Sequence, residues 1–259
     1  MAEPIETRTG VNVTQNPKLS GPLLVDKIKL GCYGQSLMLK ELDILVGVAS
    51  QPYGELGPLE DEIEYHLEEF ARPVLLSFMR EGKLFHVLAE RPLGVDMLPL
   101  QGESLQSLDG LMRNIEFPYA EGMQNYQIFS DKDKKAESRL HTTSIIAMIA
   151  PPFWIMSQRF FEGVVVSVLA ILTGFVVHWI LGVLTYGLMC LYVGRDQKKL
   201  VRSFMGFRGF VQIYTLAAHN EVSAQRAAID MEEDLQFIFA AKIPRQPRPK
   251  PIPSRVIGE

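Results

Sequence analysis

The sequence predicts an integral membrane protein that is mainly α-helical, with a small mixed α/β or α N-terminal cytosolic domain and a short transmembrane helical hairpin. Residues 164–194 contain no Asp, Glu, Lys or Arg, and about 18 consecutive apolar residues already suffice for a membrane span. Basic residues stand on both sides of the apolar region. The positive-inside bias therefore places both flanks in the cytosol, with an even number of crossings.

Changes in composition predict five parts along the 259 residues. They are an extended N-terminal arm (1–22), an acidic cytosolic domain (23–140), a membrane region with two crossings or a re-entrant hairpin (141–195), a cytosolic helical segment (196–241) and a basic proline-rich tail (242–259). The run 130–139 is rich in charge and predicts a linker into the membrane region. Residues 93–129 predict loops and one or two short helices.

The distribution of charge indicates which partners to expect. There are 22 acidic and 14 basic side chains up to residue 140, against 8 and 12 beyond it. An acidic front half argues against nucleic acid, because a phosphate backbone needs Lys and Arg. The basic second half suits anionic lipid headgroups. The expected partners are therefore a lipid bilayer and other subunits of a membrane complex.

The length of the apolar block favours a turn at its centre. A straight helix over residues 164–194 would be about 46 Å long, whereas the hydrocarbon core of a bilayer is about 30 Å thick. His178 and Trp179 lie near the middle, and this amphipathic pair prefers an interface. A short hairpin that turns at these two residues explains both facts, and a single long tilted helix is the alternative.

Aromatic residues around one arginine predict where the chain meets the membrane–water boundary. Pro151 and Pro152 would kink the apolar stretch before them, and an aromatic belt follows. Arg159 would extend to the headgroups along this belt. The predicted interface residues are Trp154, Arg159, Phe160, Phe161, His178 and Trp179.

Two stretches resemble a known family. "APPFWIMSQRFFEGVVVSVLAILTG" and "LYVGRDQKKLVRSFMGFRGFVQIYTLAAHNEVSAQRAA" are similar, over about residues 143–230, to a family of small bacterial inner-membrane proteins known only as a domain of unknown function. The resemblance implies a bacterial inner-membrane location and no known activity, while the flanking charges predict that both termini are cytosolic. The matching positions would be Trp154, Arg159, Arg208, Gly209, Phe210 and Arg226.

Periodicity predicts further elements outside the apolar block. Apolar residues from Leu59 to Ala71 recur at helical spacing, and two apolar runs around Glu81-Gly82 suggest a hairpin, with a helix as the alternative. A stripe that includes Ala224, Ala228 and Met231 predicts a helix from Glu221 onward. The tail favours extended polyproline II, and Pro244, Pro247, Pro249 and Pro251 are its candidate partner-binding residues.

Few residues suggest chemistry. Glu62, His66 and Glu69 share one face of the predicted front helix and could bind a metal, but an exposed acidic face is the ordinary interpretation. No motif of a hydrolase, metalloprotease or nucleotide-binding enzyme is found in the sequence, so no catalytic, cofactor-binding or metal residue is assigned.

These features favour a non-catalytic, membrane-anchored accessory or scaffold subunit of a larger bacterial inner-membrane complex. The polar arm and tail make sense if a partner orders them. The alternative is a small oligomeric transporter or ion-handling protein that works around His178 and Tyr186, since an ionisable group in an apolar block is a candidate for ion handling.

Overall fold

The computed structural model describes residues 21–53, 72–100 and 117–240, and within the two intervening gaps Asp61, Ile63, Tyr65, Leu105, Leu108, Gly110 and Met112. The chain divides into two compact units. The first comprises residues 1–84 and 89–120, and the second comprises residues 85–88 and 121–259. The predicted arm, apart from its last two residues, and all of the predicted tail lie outside the described residues.

The fold class is mixed α/β, with ten strands in two sheets in the described part of the chain. None of the helices described there combines the length and the apolar composition that a bilayer crossing requires. The predicted mainly α, integral membrane fold with its transmembrane hairpin is therefore wrong. The predicted location in a bacterial inner membrane, with both termini in the cytosol, rested on those crossings and is wrong for the same reason.

The first sheet comes from the front of the chain. Its strands follow the order β5-β4-β2-β1-β6, and β3 pairs with β2. A turn with positive φ at Glu81 and Gly82 joins β4 to β5, as the sequence predicts. The strands are β1 (Leu23–Ile28), β2 (Ile44–Val48), β3 (Gln51–Pro52), β4 (Val74–Arg80), β5 (Lys83–Ala89) and β6 (Val95–Pro99).

A buried ion pair fixes the end of β4 in the first unit. Arg80 donates from Nε to Oδ1 of Asp43 at 2.7 Å and from Nη2 to Oδ2 at 2.6 Å. Asp43 also accepts the backbone N–H of Lys40 at 2.8 Å. Both charged side chains are buried, and such a bidentate arrangement is what a desolvated carboxylate needs.

The second sheet has the order β10-β8-β7-β9. Strand β7 is antiparallel to β8 and β9, and β10 is parallel to β8. The charged run 130–139 is therefore a tight turn and strand β8, and the predicted linker is wrong. The strands are β7 (Gln124–Ser130), β8 (Lys135–Leu140), β9 (Val211–Ala218) and β10 (Gln236–Phe237).

Most of the helical residues that the structure describes lie in the second unit. Pro151 is the first residue of α3. A proline is favourable there, because its φ suits a helix and the N–H that it lacks would have no partner within the helix. The predicted helical segment 196–241 is in fact the end of α5, strand β9, helix α6 and strand β10. The helices are α1 (Tyr33–Ser36), α2 (Ile146–Ile149), α3 (Pro151–Ser157), α4 (Phe161–Val177), α5 (Trp179–Phe207) and α6 (Glu221–Met231).

Helix α6 forms where the apolar stripe predicts it. Asn220 caps it, because its side-chain oxygen accepts the backbone N–H of Ser223 at 2.8 Å. Ala224, Ala228 and Met231 are buried, so the stripe packs inward. The helix ends at Met231, so the predicted helical structure up to residue 241 is wrong there, because the chain turns into β10.

One apolar cluster forms the core between the second sheet and helices α2, α3 and α5. Strand β7 contributes Phe129, and the end of α5 contributes Val201 and Met205. The rings of Phe160 and Phe204 meet with centroids 4.0 Å apart. This core holds Phe160, the residue before α4, and the second half of α5 from Val193 onward. The buried members are Phe129, Ala147, Trp154, Phe160, Val193, Val201, Met205 and Phe210.

Candidate interaction surface

Helices α4 and α5 form a hairpin that turns at a single residue. His178 has extended φ and ψ of −166° and 136°, and its Nδ1 accepts the backbone N–H of Ile180 at 3.2 Å. The sequence places the turn at the same position. His178 therefore ends α4 and caps α5, a local structural role for the side chain.

Glycines let the two helices approach closely near the turn. A Cβ atom on Gly174 would lie 3.0 Å from the Cα atom of Gly182, and one on Gly182 would lie 2.5 Å from the ring of Phe175. Farther along α5, Gly194 packs in the same manner on Met148 of α2. The hydroxyl of Tyr186 donates to the carbonyl oxygen of Ile149. These contacts fix α5 against α4 and α2.

The outside of this hairpin is apolar and exposed. Residues 163–194 carry no Asp, Glu, Lys or Arg. Val176 is 87% exposed, and Val166 and Leu191 are 67% and 66% exposed. We call the following side chains the apolar hairpin surface: Phe161, Val165, Val166, Val168, Leu169, Leu172, Phe175, Val176, Val177, Trp179, Ile180, Leu181, Val183, Leu184, Tyr186, Leu188, Leu191 and Tyr192.

The apolar hairpin surface covers most of the circumference of both helices. Successive residues of a helix point about 100° apart, and whole runs such as 175–177 and 179–181 are exposed. Within residues 161–192 only Ser167, Gly174 and Gly182 are buried, and the two glycines lie where the helices approach each other. An amphipathic helix of a globular protein would instead show one apolar stripe.

The six predicted interface residues lie in three different environments. Phe161, His178 and Trp179 are exposed and belong to the hairpin. Trp154 and Phe160, each 4% exposed, lie in the core. Arg159 faces its own chain, with its guanidinium carbon 4.4 Å from the ring centroid of Phe239 and an ion pair to Glu221 at 3.7 Å.

A buried charge cluster holds the base of the hairpin to the second sheet. Glu137 in β8 pairs with Arg139 through Oε2 and with Arg208 through Oε1, the latter at 2.8 Å. Arg139 also donates to the carbonyl oxygen of Gln158 at 2.6 Å. Burial lowers the pKa of Arg139, and Glu137 opposes this effect. The composition of the chain does not reveal this cluster, because Glu137 and Arg139 lie in the charged run 130–139, which predicts a linker.

The predicted metal-binding and tail residues fall outside the part of the chain that the structure describes. Glu62, His66, Glu69, Pro244, Pro247, Pro249 and Pro251 lie outside the described residues. Asp61, Ile63 and Tyr65 are helical, in line with the predicted front helix. Among the residues that the structure describes, no group of three His, Cys, Asp or Glu side chains could hold a metal ion. The transport hypothesis around His178 and Tyr186 stays a prediction.

No protein-family model matches the chain, and no curated protein or solved structure matches it. The resemblance of residues 143–230 to a bacterial family therefore stays a prediction.

Proposed function

We propose that this protein is a non-catalytic accessory or scaffold subunit that inserts its helical hairpin between apolar surfaces of partner subunits. The observation that carries the proposal is the apolar hairpin surface. A membrane crossing forms no part of it. The partner is defined by its chemistry: it offers an apolar groove with hydrogen-bonding groups at its floor.

The extent of the surface calls for a partner. Monomeric proteins rarely expose contiguous apolar patches of more than a few hundred Å². Each large apolar side chain that is fully buried gains about 1.5–3 kcal/mol, and the hairpin exposes 18 such side chains by 37% to 87%. Because the exposure surrounds both helices, contact with one flat surface would leave half of it uncovered. Insertion between partner elements would cover it.

The tip of the hairpin favours a protein partner over lipid. His178 and Trp179 are exposed there, and both carry ring nitrogens that need hydrogen-bond partners when they are buried. A hydrocarbon layer offers none at the depth that the tip would reach. A groove in a protein can place a carbonyl or carboxylate oxygen beside both rings.

The base of the hairpin supports a scaffold role. The core cluster and the ion pairs of Glu137 fix the direction in which the hairpin leaves the second unit. A rigid base reduces the entropy that is lost when a surface binds. The buried charges Asp43 and Glu137 are both paired with arginines, an arrangement typical of structural ion pairs.

Charge substitution in the hairpin tests the proposal. A tagged full-length chain is purified from its native cells under mild conditions. The mass of the purified complex gives the stoichiometry of any co-purifying chains, and chemical cross-linking identifies the residues in contact. We expect one or more partners at fixed stoichiometry, with cross-links to residues 164–194. Val176→Glu and Leu191→Glu should each lower partner recovery at least tenfold, because the interface would have to bury an unpaired charge.

Leu30→Glu is the matched control, since Leu30 is 96% exposed and lies in the first unit. It should recover the partner as well as the wild type does. Full recovery with the two hairpin variants would contradict the proposal. So would a wild-type protein that has no stoichiometric partner and floats with protein-free lipid vesicles.

A further inference from the structure

The last strand of the second sheet is held by few main-chain bonds. Strand β10 has two residues and pairs in parallel with the start of β8. The backbone N–H of Gln236 donates to the carbonyl oxygen of Lys134 at 2.8 Å. The backbone N–H of Ile238 donates to the carbonyl oxygen of Ala136 at 3.0 Å. We call residues 236–239 the C-terminal strap. A segment with so short a parallel ladder opens more readily than a full strand.

The C-terminal strap reaches the base of the hairpin through one side-chain contact. The guanidinium carbon of Arg159 lies 4.4 Å from the ring centroid of Phe239, which is a cation–π contact. Arg159 also forms an ion pair with Glu221 at 3.7 Å. Gln225 in α6 donates from Nε2 to the carbonyl oxygen of Phe239 at 3.0 Å. The end of the strap therefore contacts both α6 and the residue that stands two positions before α4.

Arg159 occupies a position at which helices usually have glycine. It follows Gln158, the C-cap of α3, and its φ of 59° is in the left-handed region. The backbone N–H of Arg159 donates to the carbonyl oxygen of Met156 at 2.9 Å. The backbone N–H of Phe160 donates to that of Ile155 at 3.2 Å. These two bonds define the Schellman motif, in which glycine avoids the steric cost that a Cβ atom brings.

The contacts of the Arg159 side chain offset the strain of its backbone. A strained conformation persists only where the surrounding structure holds it. The steric cost of a left-handed conformation and the gain from a partly exposed cation–π contact are of the same order. The turn at Arg159 is therefore stable while Phe239 is in place, and it loses a large part of its support when Phe239 leaves.

We propose that the C-terminal strap is a latch that controls the mobility of the hairpin through the contact of Phe239 with Arg159. With the strap on β8, the turn keeps its strained conformation and α4 leaves the core in one direction. Without the strap, the turn relaxes and the entry to α4 becomes mobile, while the core still holds α5 from Val193 onward. A fixed surface loses less entropy when it binds, so the latched state is the one that docks. This last step rests on the proposed function of the hairpin.

Two measurements on the full chain test the latch. Hydrogen exchange reports on residues 158–163, and spin labels at positions 124 and 176 report on the direction of the hairpin relative to the second sheet. Phe239→Ala should make exchange in this segment about fivefold faster and broaden the distance distribution. Ile238→Ala is the matched control, because Ile238 is 44% exposed and Phe239 is 45% exposed. It should leave both readouts as they are in the wild type.

A double-mutant cycle separates the latch from general loosening of the segment. In a chain that carries Arg159→Gly, Phe239→Ala should have no further effect on exchange. If Phe239→Ala fails to fold, Phe239→Leu replaces it, because leucine keeps the apolar contact and lacks the ring face. Wild-type exchange in the Phe239 variant would overturn the proposal. An equal increase in Ile238→Ala, or an undiminished effect beside Arg159→Gly, would do so too. No partner is used here, so these outcomes leave the docking proposal standing.

Discussion

Glu137 and Arg208 lie 71 residues apart in sequence and form an ion pair of 2.8 Å between Oε1 and Nη1. Glu137 also pairs with Arg139, and its side chain is 1% exposed. One carboxylate thus pairs with two guanidinium groups, one directly after α5 and one in β8. The second sheet and the base of the hairpin depend on this carboxylate.

Removing that charge should destabilise the second unit strongly. Glu137→Gln leaves the buried guanidinium of Arg139 without its counter-charge, and breaking a buried pair from one side costs about 3–5 kcal/mol. Urea unfolding monitored by circular dichroism measures the change. Asp133→Asn is the control, because the Asp133 side chain is 76% exposed and the expected effect is below about 0.5 kcal/mol. Equal stability of the two variants would refute the structural role of Glu137.

The close contact of the hairpin helices should not tolerate a side chain at Gly174. A Cβ atom there already lies 3.0 Å from the backbone of Gly182, so Gly174→Leu forces the helices apart. Spin labels on α4 and α5 should report a longer interhelical distance. Gly187→Leu is the control, since a Cβ atom at Gly187 meets nothing within 4 Å. It should leave the distance unchanged, and a similar increase in both variants would contradict the packing.

The stability of the protein should fall as the pH is lowered from neutrality. Burial lowers the pKa of His86 to about 4 and that of His141 to about 3, from an ordinary value of 6.5. The unfolded chain therefore takes up protons below about pH 6.5, whereas the folded chain takes them up only near pH 3–4. The stabilisation is complete above pH 6.5 and is lost progressively below it.

Unfolding in urea at several pH values checks this dependence. We expect a loss of about 4 kcal/mol between pH 7 and pH 5, about half of it from each imidazole. His86→Gln should reduce the slope, because it removes one of the two imidazoles whose pKa is lowered in the folded chain. His219→Gln, at an exposed histidine, serves as the control and should keep the full slope. An unchanged slope in His86→Gln would contradict the assignment.

The sequence predicted local features well and long-range ones poorly. The turn at His178, the tight turn at Glu81-Gly82 and the start of α6 follow from residues that are neighbours in the chain. Strand β8 could not be recognised, because two of its four central buried residues are Glu137 and Arg139. Their burial depends on a partner 71 residues away from Glu137, which no local pattern records.

The membrane prediction failed although the turn within the block was predicted. The turn divides the uncharged residues 164–194 between two helices, and no helix of the described residues, including the 17-residue α4, has the length and apolar composition of a bilayer crossing. Uncharged composition alone does not distinguish a bilayer span from an apolar docking element. Likewise, Trp154 and Phe160 have the composition of an interface belt, but they pack on Val193 and Met205 in the core cluster.

The most direct test of the central claim places a photo-reactive amino acid at position 176, which is 87% exposed near the tip of the hairpin. After irradiation of intact cells, the cross-linked products are separated and identified by mass spectrometry. The account predicts one dominant adduct to a different protein chain, with the contacted residues lining an apolar groove. Adducts only to lipid, only to a second copy of this chain, or to no molecule at all would contradict it.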